Sequence, residues 1–137
     1  MNKSEILAFL NANPTCFLAT VDGNQPRVRA MGMVKADEDG VIIETGTFKD
    51  VYKQMAANPN VEICFFNAKD GVQIRVSGAV EAVDDRKLKD EIIAQRPFLK
   101  QRVAEGGYEA MGVFRLKGQA YVWSFAAGSE PKTYVQL

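Results

Sequence analysis

The feature that most limits the fold of this chain is a series of short apolar segments separated by tight-turn signals. The turn signals contain Gly, mostly beside Asp or Asn, and they recur at residues 22–24, 37–40, 69–71 and 117–118. Such signals between alternating apolar segments predict hairpins that join antiparallel strands. The predicted strands are residues 16–21, 27–36, 41–45, 61–67, 72–83, 111–116 and 119–125. Six or seven strands of this kind are expected to close into a small barrel, because closure removes exposed strand edges.

Helices are predicted at the start and in the later part of the chain. The first covers residues 4–12, with Ser4 as its N-cap. The other follows a cap signal at Asp84 and Asp85 and continues, or kinks near Pro97, as far as residue 103. Such helices would cover the openings of the barrel. The predicted fold class is therefore α+β, or mainly β with accessory helices.

A shorter helix between two strands is the first candidate for a ligand site. Thr47 can act as its N-cap, Asp50 completes the outline of a capping box, and Pro59 ends the apolar stripe. A helix N-terminus presents unpaired N–H groups and the positive end of the helix dipole, which suits an anion. Thr45 lies just before this helix, and Lys49 lies within its first turn. The alternative is an ordinary capped surface helix with a solvated lysine.

Two predicted strands carry polar side chains on one face. Gln73, Arg75 and Ser77 alternate with apolar residues that would fill the barrel interior, and Arg29 belongs to a similar polar set on an earlier strand. A small barrel packs its interior with side chains, so a ligand is expected outside, at a rim or at a subunit interface. The alternative is that both polar faces are simply solvated, as is common in antiparallel sheets.

The composition excludes several kinds of binding site and catalytic site. Lys and Arg number 17, as do Asp and Glu, and this zero net charge argues against nucleic-acid binding. The chain has no histidine, which excludes His-based catalytic triads and zinc sites of the usual His type. The two cysteines, Cys16 and Cys64, are expected to be free buried thiols. Any chemistry would then come from carboxylates, lysines, hydroxyls or a bound cofactor.

The length and the termini set the remaining expectations. At 137 residues the sequence predicts a single domain over residues 1–137. No apolar run is long enough to cross a bilayer, and the N-terminus lacks the apolar core of a signal peptide, so a cytoplasmic protein is expected. The tail from Gly128 is predicted to be irregular.

The segment from Arg29 to Gly78 resembles the FMN-binding split-barrel superfamily that includes pyridoxamine 5′-phosphate oxidase. The motifs that match in order are Arg29-Ala30-Met31-Gly32, Glu44-Thr45, Lys49, Asn58-Pro59-Asn60-Val61 and Gln73-Ile74-Arg75-Val76-Ser77-Gly78. The last is similar to the oxidase pattern Gln-Val-Arg-Ile-Glu-Gly, whereas the spacing from Thr45 to Lys49 is shorter than in the oxidase. Each motif is weak alone, but their common register makes the resemblance specific.

The resemblance implies a homodimeric split barrel with two FMN sites at the subunit interface. Arg29 and Lys49 would hold the FMN phosphate, since charged donors form strong hydrogen bonds to phosphate. Thr45 would hydrogen-bond to the phosphate or to the ribityl chain. The main chain of Ala30 and Met31 would lie against the flavin ring.

Two more flavin contacts are implied farther along the chain. Gln73 matches the glutamine that is a flavin ligand in the oxidase. Trp123 shares a predicted strand face with Tyr121 and Phe125, and these aromatic side chains would stack at the flavin edge across the dimer interface. The alternative is that the three aromatic residues pack in the core or in a plain interface.

The activity implied by the resemblance is that of an FMN-dependent oxidoreductase acting on a small molecule, with a reduced nicotinamide as donor. The alternatives are a non-catalytic flavin binder or electron carrier with the same site, and a barrel that has lost the cofactor and serves as a dimeric interaction module. The oxidase ends in an Arg-Leu-Ser-Pro tail that helps to bind pyridoxine phosphate, and residues 123–131 contain no arginine. Oxidation of pyridoxine phosphate is therefore not expected. The chain also lacks the histidine of nitroimidazole-reductase-like relatives, so it most resembles the short FMN-binding proteins related to general stress proteins.

Overall fold

The computed structural model describes residues 1–126, 128 and 131–137, and within them one antiparallel sheet carries helices at its ends. The helices are α1 (Lys3–Ala12), α2 (Asp50–Ala57), α3 (Arg86–Gln95) and α4 (Leu99–Gly106), with a single 3-10 turn at Tyr108–Ala110. The strands are β1 (Thr15–Asp22), β2 (Gln25–Gly32), β3 (Lys35–Asp37), β4 (Gly40–Gly46), β5 (Asn60–Asn67), β6 (Val72–Ala82), β7 (Met111–Leu116), β8 (Gln119–Ser124) and β9 (Tyr134–Gln136). None of the helices in these ranges is long and apolar enough to cross a membrane.

The sheet curls into a split barrel, and this confirms the predicted fold class. Seven strands follow the order β2-β1-β5-β6-β7-β4-β3, while β8 pairs with β6 and β9 pairs with β8. The long strand β6 lies beside β5 and β8 over its first part and beside β7 at Val80–Ala82, so it links the two halves of the sheet. The barrel is open between β2 at one end of this order and β3 and β4 at the other.

Strict alternation along the strands builds the core. On β6 the inward residues Ile74 and Val76 are completely buried, as the sequence predicts. Ile63 and Phe65 on β5 are buried beside them. Helix α1 closes one end with Leu10, which is also completely buried. A second, smaller cluster packs α3 and α4 against β4 and β7, and its members are Ile42, Leu88, Ile92, Leu99, Met111 and Val113.

The predicted caps of the first two helices are wrong. Helix α1 is capped by Asn2 rather than Ser4, because the Asn2 side chain accepts a hydrogen bond from the Glu5 N–H at 2.9 Å in a capping box. Helix α2 begins at Asp50, with Lys49 at the N-cap position and no side-chain cap. The N–H of Thr47 instead donates to the carbonyl of Ala110 at 3.1 Å. Lys49 therefore precedes the first turn of α2 rather than lying within it.

The predicted strand over residues 27–36 consists of two strands, β2 and β3, with a break at Met33 and Val34. The N–H of Met33 donates to the Pro14 carbonyl at 2.8 Å, and the N–H of Val34 donates to the Ile42 carbonyl at 3.0 Å. These bonds go to opposite sides of the split. The chain thus crosses the opening of the barrel at this break.

The predicted face of Arg29 is also wrong. In the register of β1 and β2, Arg29 lies opposite the completely buried Leu18, and paired residues in an antiparallel ladder share a face. Arg29 therefore projects toward the interior at the rim of the barrel, whereas Val28 is outward and 70% exposed. The interior accepts this arginine because Thr20 and α2 provide it with hydrogen-bond partners.

The prediction of an irregular tail is wrong for the last residues. Tyr134–Gln136 form β9, which pairs with β8 in the register Tyr121 to Tyr134. The part of that prediction that concerns Ser129 and Glu130 lies outside the described residues, as does Ala127. The C-terminal segment extends the outer part of the sheet, so it contributes to the surface beside β8.

Candidate functional site

A cavity of about 260 Å³ lies at the opening of the barrel, between the ends of β2 and β4. Its lining is Arg29, Ala30, Met31, Gly32, Glu44, Thr45, Lys49, Val51, Arg96, Phe98 and Arg102, and we call it the split cavity. The predicted site residues Arg29, Ala30, Met31, Thr45 and Lys49 are all in this set. The fold thus brings together side chains from an edge strand, a second strand and the start of a helix.

The split cavity is bordered by strand edges that lack a neighbouring strand in the part of the chain that the structure describes. Strand β2 pairs only with β1, and the end of β4 beyond Ile42 pairs only with β7. The carbonyl of Gly32 faces the open edge, because Arg96 Nη2 donates to it at 2.8 Å. Ala30 lies two residues earlier and therefore directs its N–H and C=O to the same edge. A flat ligand with its own donors and acceptors would satisfy these backbone groups.

The guanidinium of Arg29 is held in place by three hydrogen bonds. Its Nη1 donates to the Leu18 carbonyl at 3.2 Å and to Thr20 Oγ1 at 2.7 Å, and its Nη2 donates to Gln54 Oε1 at 2.6 Å. Burial lowers the pKa of Arg29, and the nearby Arg27 adds to this effect. The Nε donor and one Nη2 hydrogen remain for a ligand. Arg29 is thus an anchored cation at the rim of the barrel.

Lys49 differs from Arg29 in that its ammonium group has no hydrogen-bond or ion-pair partner within the described residues, and its side chain is exposed. It stands at the N-cap of α2, next to the unpaired N–H groups of the first turn. Thr45 is buried, at 5% exposure, near the end of β4, the strand that precedes α2 in the chain. The three side chains Arg29, Thr45 and Lys49 suit the recognition of a phosphate, because they offer charged and neutral donors from separate elements.

The opposite wall of the split cavity comes from the segment around α4. Arg102 Nη1 lies 2.8 Å from Glu44 Oε2, and the Glu44 side chain is only 4% exposed. Burial raises the pKa of Glu44, while the charges of Arg102, Arg96 and Lys49 lower it, so burial is the stronger influence. Phe98 is 71% exposed at the rim.

The charge in the split cavity is predominantly positive. Arg29, Lys49, Arg96 and Arg102 face a single carboxylate, Glu44. An anionic ligand is therefore favoured over a cationic one. Within the described residues no group of three or more His, Cys, Asp or Glu side chains is arranged to hold a metal ion.

The residues that sequence reasoning missed come from the region of α3 and α4. Arg96, Phe98 and Arg102 line the split cavity, where Arg102 pairs with the carboxylate of Glu44. The one local signal is Pro97, which separates α3 from α4 and fixes the chain direction after Arg96. That signal locates a break but does not show which surface the following helix covers.

Gln73 and Trp123 do not line the split cavity. Gln73 lies on β6, three strands away from β2, which corresponds to about 14 Å along the sheet. Trp123 pairs with Gln73 on β8, and both face outward. Tyr121 also faces outward, whereas Phe125 follows the end of β8 and contacts the Trp123 ring edge-on at 4.7 Å.

These residues belong to a continuous surface that we call the outer sheet face. Its exposed apolar members are Phe17, Val28, Phe66 and Tyr134, with exposures of 45%, 70%, 41% and 55%. Within it Arg75 lies over the Tyr121 ring at 5.0 Å. Large contiguous apolar patches on a sheet commonly mark interaction sites.

Both cysteines are free thiols, as predicted, but the prediction that both are buried is wrong for Cys64. Cys16 is buried in the core, where burial raises its pKa to about 11. Cys64 is half-buried on the outer sheet face, and burial raises its pKa as well. A raised pKa keeps a thiol protonated and therefore a poor nucleophile. Neither cysteine lines the split cavity.

Comparison with known proteins identifies related sequences. The sequence profile of the family described as pyridoxamine 5′-phosphate oxidase matches residues 3–120. A pyridoxine/pyridoxamine 5′-phosphate oxidase from Actinobacillus succinogenes is 32% identical over 97 residues, which is 70% of this chain and 46% of that protein. The match therefore covers less than half of the length of this curated relative.

Solved structures share the fold over almost the whole chain. A NimC/NimA family protein from Clostridium acetobutylicum is 32% identical, with a TM-score of 0.79 over 98% of this chain and 92% of the other. General stress protein 26 from Bacillus anthracis has a TM-score of 0.75 over all of both chains at 17% identity. A pyridoxamine 5′-phosphate oxidase-related, FMN-binding protein from Nostoc punctiforme has a TM-score of 0.67 at 19% identity, covering 96% and 87%. The last two likenesses concern the fold alone.

Proposed function

The chain belongs to the pyridoxamine 5′-phosphate oxidase family, and from this premise we propose that it is a flavoprotein that binds FMN in the split cavity. The observation that carries the proposal is the convergence of Arg29, Thr45 and Lys49 on a cavity edged by unpaired backbone of β2. The Nostoc punctiforme protein of the same fold is described as FMN-binding, which supports the same cofactor.

Five residues of the split cavity have a role in this proposal. Lys49 and the remaining donors of Arg29 bind the phosphate, and Thr45 binds the phosphate or the ribityl chain. The free N–H and C=O of Ala30 bind the polar edge of the ring, and Met31, whose own backbone groups point toward Cys16 of β1, lies against the ring beside it. The bound flavin would supply the redox chemistry, and the protein would orient it and tune its potential.

Gln73 and Trp123 enter the proposal through a second subunit. The split cavity measures about 260 Å³, which is below the roughly 300–1,000 Å³ of small-molecule sites, so a single chain does not enclose the ligand. The outer sheet face carries Gln73 and Trp123 among exposed aromatic side chains, as expected for the core of an interface. We propose a homodimer in which Gln73 and Trp123 of one protomer reach the flavin of the other.

Sedimentation or light scattering is expected to give twice the chain mass of 15.1 kDa. Replacing Phe17 with Asp is expected to shift the protein toward the monomer, because it places a charge on the outer sheet face. Ala8→Asp introduces the same charge on the exposed face of α1 and is the control, because Ala8 belongs neither to the outer sheet face nor to the split cavity. A wild-type monomer at micromolar concentration would contradict the dimer.

The activity proposed is that of an FMN-dependent oxidoreductase that passes electrons from a reduced nicotinamide to a small molecule. The positive charge of the split cavity favours an anionic substrate or donor. Oxidation of pyridoxine phosphate is not proposed, because the chain lacks an arginine in residues 123–131 and the curated relative that it matches is more than twice as long as the matched region.

The test combines a spectrum with an activity assay. Protein mixed with FMN and then desalted is expected to retain a bound-flavin absorption spectrum with shifted maxima. NADH and NADPH oxidation is then followed with and without an added electron acceptor. Absence of flavin after mixing would reject the proposal, and tight binding without nicotinamide oxidation would favour the non-catalytic flavin carrier instead.

A further inference from the structure

Two side chains of opposite charge lie among the outward residues of β5 and β6. Glu62 is exposed on β5, and Arg75 is half-buried on β6. In the register of these strands Glu62 lies opposite Ser77, and Cys64 lies opposite Arg75. The two charges are therefore diagonal neighbours on the outer sheet face, the surface proposed above for the homodimer.

The two charges do not pair with each other within the chain. The Arg75 guanidinium lies over the Tyr121 ring at 5.0 Å, which is on the β8 side of β6. Its Nε is buried and has no hydrogen-bond partner in the part of the chain that the structure describes. No ion pair between described residues includes Glu62 or Arg75. A buried donor without an acceptor is destabilising, so this guanidinium suits an acceptor supplied from outside the chain.

The proposed flavin site constrains how two outer sheet faces would meet. Ala30 binds the polar edge of the flavin in one protomer, and Gln73 of the partner subunit reaches the same flavin, so a two-fold axis would exchange the positions of Ala30 and Gln73. Ala30, Phe17, Cys64 and Arg75 form one row across the strands, and Gln73 is one outward position farther along β6. Outward neighbours lie about 4.8 Å apart across strands and about 6.8 Å apart along a strand.

With these spacings the same axis brings the two charges together. It places Glu62 about 5 Å from Arg75 of the partner subunit in the plane of the interface, a separation that both long side chains can span. The two Glu62 side chains lie near the axis, so the two reciprocal pairs form one cluster of four charges. Phe17 falls opposite Cys64 and Phe66 of the partner subunit, so apolar side chains meet apolar ones around the cluster.

We propose that Glu62 and Arg75 form two reciprocal ion pairs across the two-fold axis of the homodimer, and that these pairs make the outer sheet face specific for a second copy of this chain. The inference rests on the proposed function and adds the contacts that set the orientation of the two subunits. The apolar side chains around the pairs exclude water, which strengthens the attraction and penalises a partner that presents like charges.

The experiment measures the dimer dissociation constant by sedimentation equilibrium for wild-type protein, Arg75→Glu and Glu62→Arg. Each single reversal brings four like charges together and is expected to raise the constant by about 100-fold or more. A mixed dimer of the two variants regains both opposite-charge pairs, so their 1:1 mixture is expected to dimerise with a constant within about fivefold of wild type. Glu81→Arg is the control, because Glu81 lies beside β7, beyond the outer sheet face, and it is expected to leave the constant unchanged.

The mixture distinguishes pairing between subunits from repulsion within one chain, because each variant keeps its like charges after mixing. A wild-type dimer that both reversals leave unchanged, or a mixture that stays as monomeric as the separate variants, would overturn the inference and leave the proposed homodimer intact. The neutral variants Glu62→Gln and Arg75→Gln replace any reversed chain that fails to fold, and each is expected to raise the constant by about fivefold or more. A wild-type monomer at micromolar concentration would overturn both the inference and the homodimer.

Discussion

Replacing Lys49 with alanine is expected to weaken FMN binding by about 1–3 kcal/mol, which is roughly 5- to 150-fold, and to leave riboflavin binding almost unchanged. The reason is that the ammonium group is assigned to the phosphate, which riboflavin lacks. Lys49 has no side-chain partner among the described residues, so its loss is not expected to disturb the fold. Paired titrations of the two flavins measure the difference directly.

The control for this variant is Lys69→Ala, which removes the same charge from a loop outside the split cavity. Wild-type protein is also expected to prefer FMN to riboflavin. If Lys49→Ala weakened both flavins to the same degree, Lys49 would act on the ring or on the fold. Equal affinity of the wild-type protein for both flavins would contradict the assignment of Arg29 and Lys49 to the phosphate.

Arg29 is less suited to such a test. Its guanidinium joins β2 to the Leu18 carbonyl, to Thr20 and to Gln54, so it links the edge strand with α2 as well as facing the ligand. An Arg29→Ala variant would remove three hydrogen bonds from a charged donor and leave Thr20 and Gln54 with their bond to each other, at a cost of about 1–3 kcal/mol. Affinity and stability would then change together. A variant of Lys49 is expected to change the flavin affinity without changing the stability.

The sequence predicts those parts of the fold that depend on local alternation. Ile74 and Val76 alternate with Gln73 and Arg75, and the structure places the first pair in the core and the second on the outer sheet face. The face of Arg29 could not be predicted in this way, because its interior position depends on Thr20 and on α2, which lies more than twenty residues later. Polar character alone wrongly indicated an outward face.

The candidate site likewise contains residues whose position could be predicted from the sequence and residues whose position could not. Thr45 and Lys49 are close in sequence and follow one strand, so their proximity in the split cavity could be predicted. Arg96 and Arg102 reach the cavity only because α3 and α4 pack on β4 and β7 through a separate apolar cluster. Nothing local to these arginines identifies the strand that they face. Their contacts with Gly32 and Glu44 span about sixty residues of sequence.

The Glu44–Arg102 pair is expected to have the largest effect on stability. Arg102→Ala is expected to lower the free energy of unfolding at neutral pH by about 3 kcal/mol, because it leaves a buried carboxylate without its cation. The value is at the lower end of the usual range for buried pairs, since Arg102 retains 19% exposure. Urea denaturation at pH 7 measures the change. Arg115→Ala is the matched control, because its partner Glu81 is 67% exposed, and a loss of about 0–1 kcal/mol is expected there.

The same variant is expected to show a characteristic pH dependence. Burial already raises the pKa of Glu44 in the folded protein above its ordinary value of 4.5, and loss of Arg102 removes the main influence that lowers it. A carboxyl group whose pKa is higher in the folded state binds a proton on folding, so the free energy of unfolding falls as the pH rises from 4.5 through the folded pKa. The deficit of Arg102→Ala relative to wild type is therefore expected to shrink as the pH is lowered toward 4.5. In the double variant Glu44→Gln, Arg102→Ala this recovery should disappear, because no titrating group remains at position 44. A deficit that is constant across this pH range would show that Arg102 stabilises the fold by packing rather than by its charge.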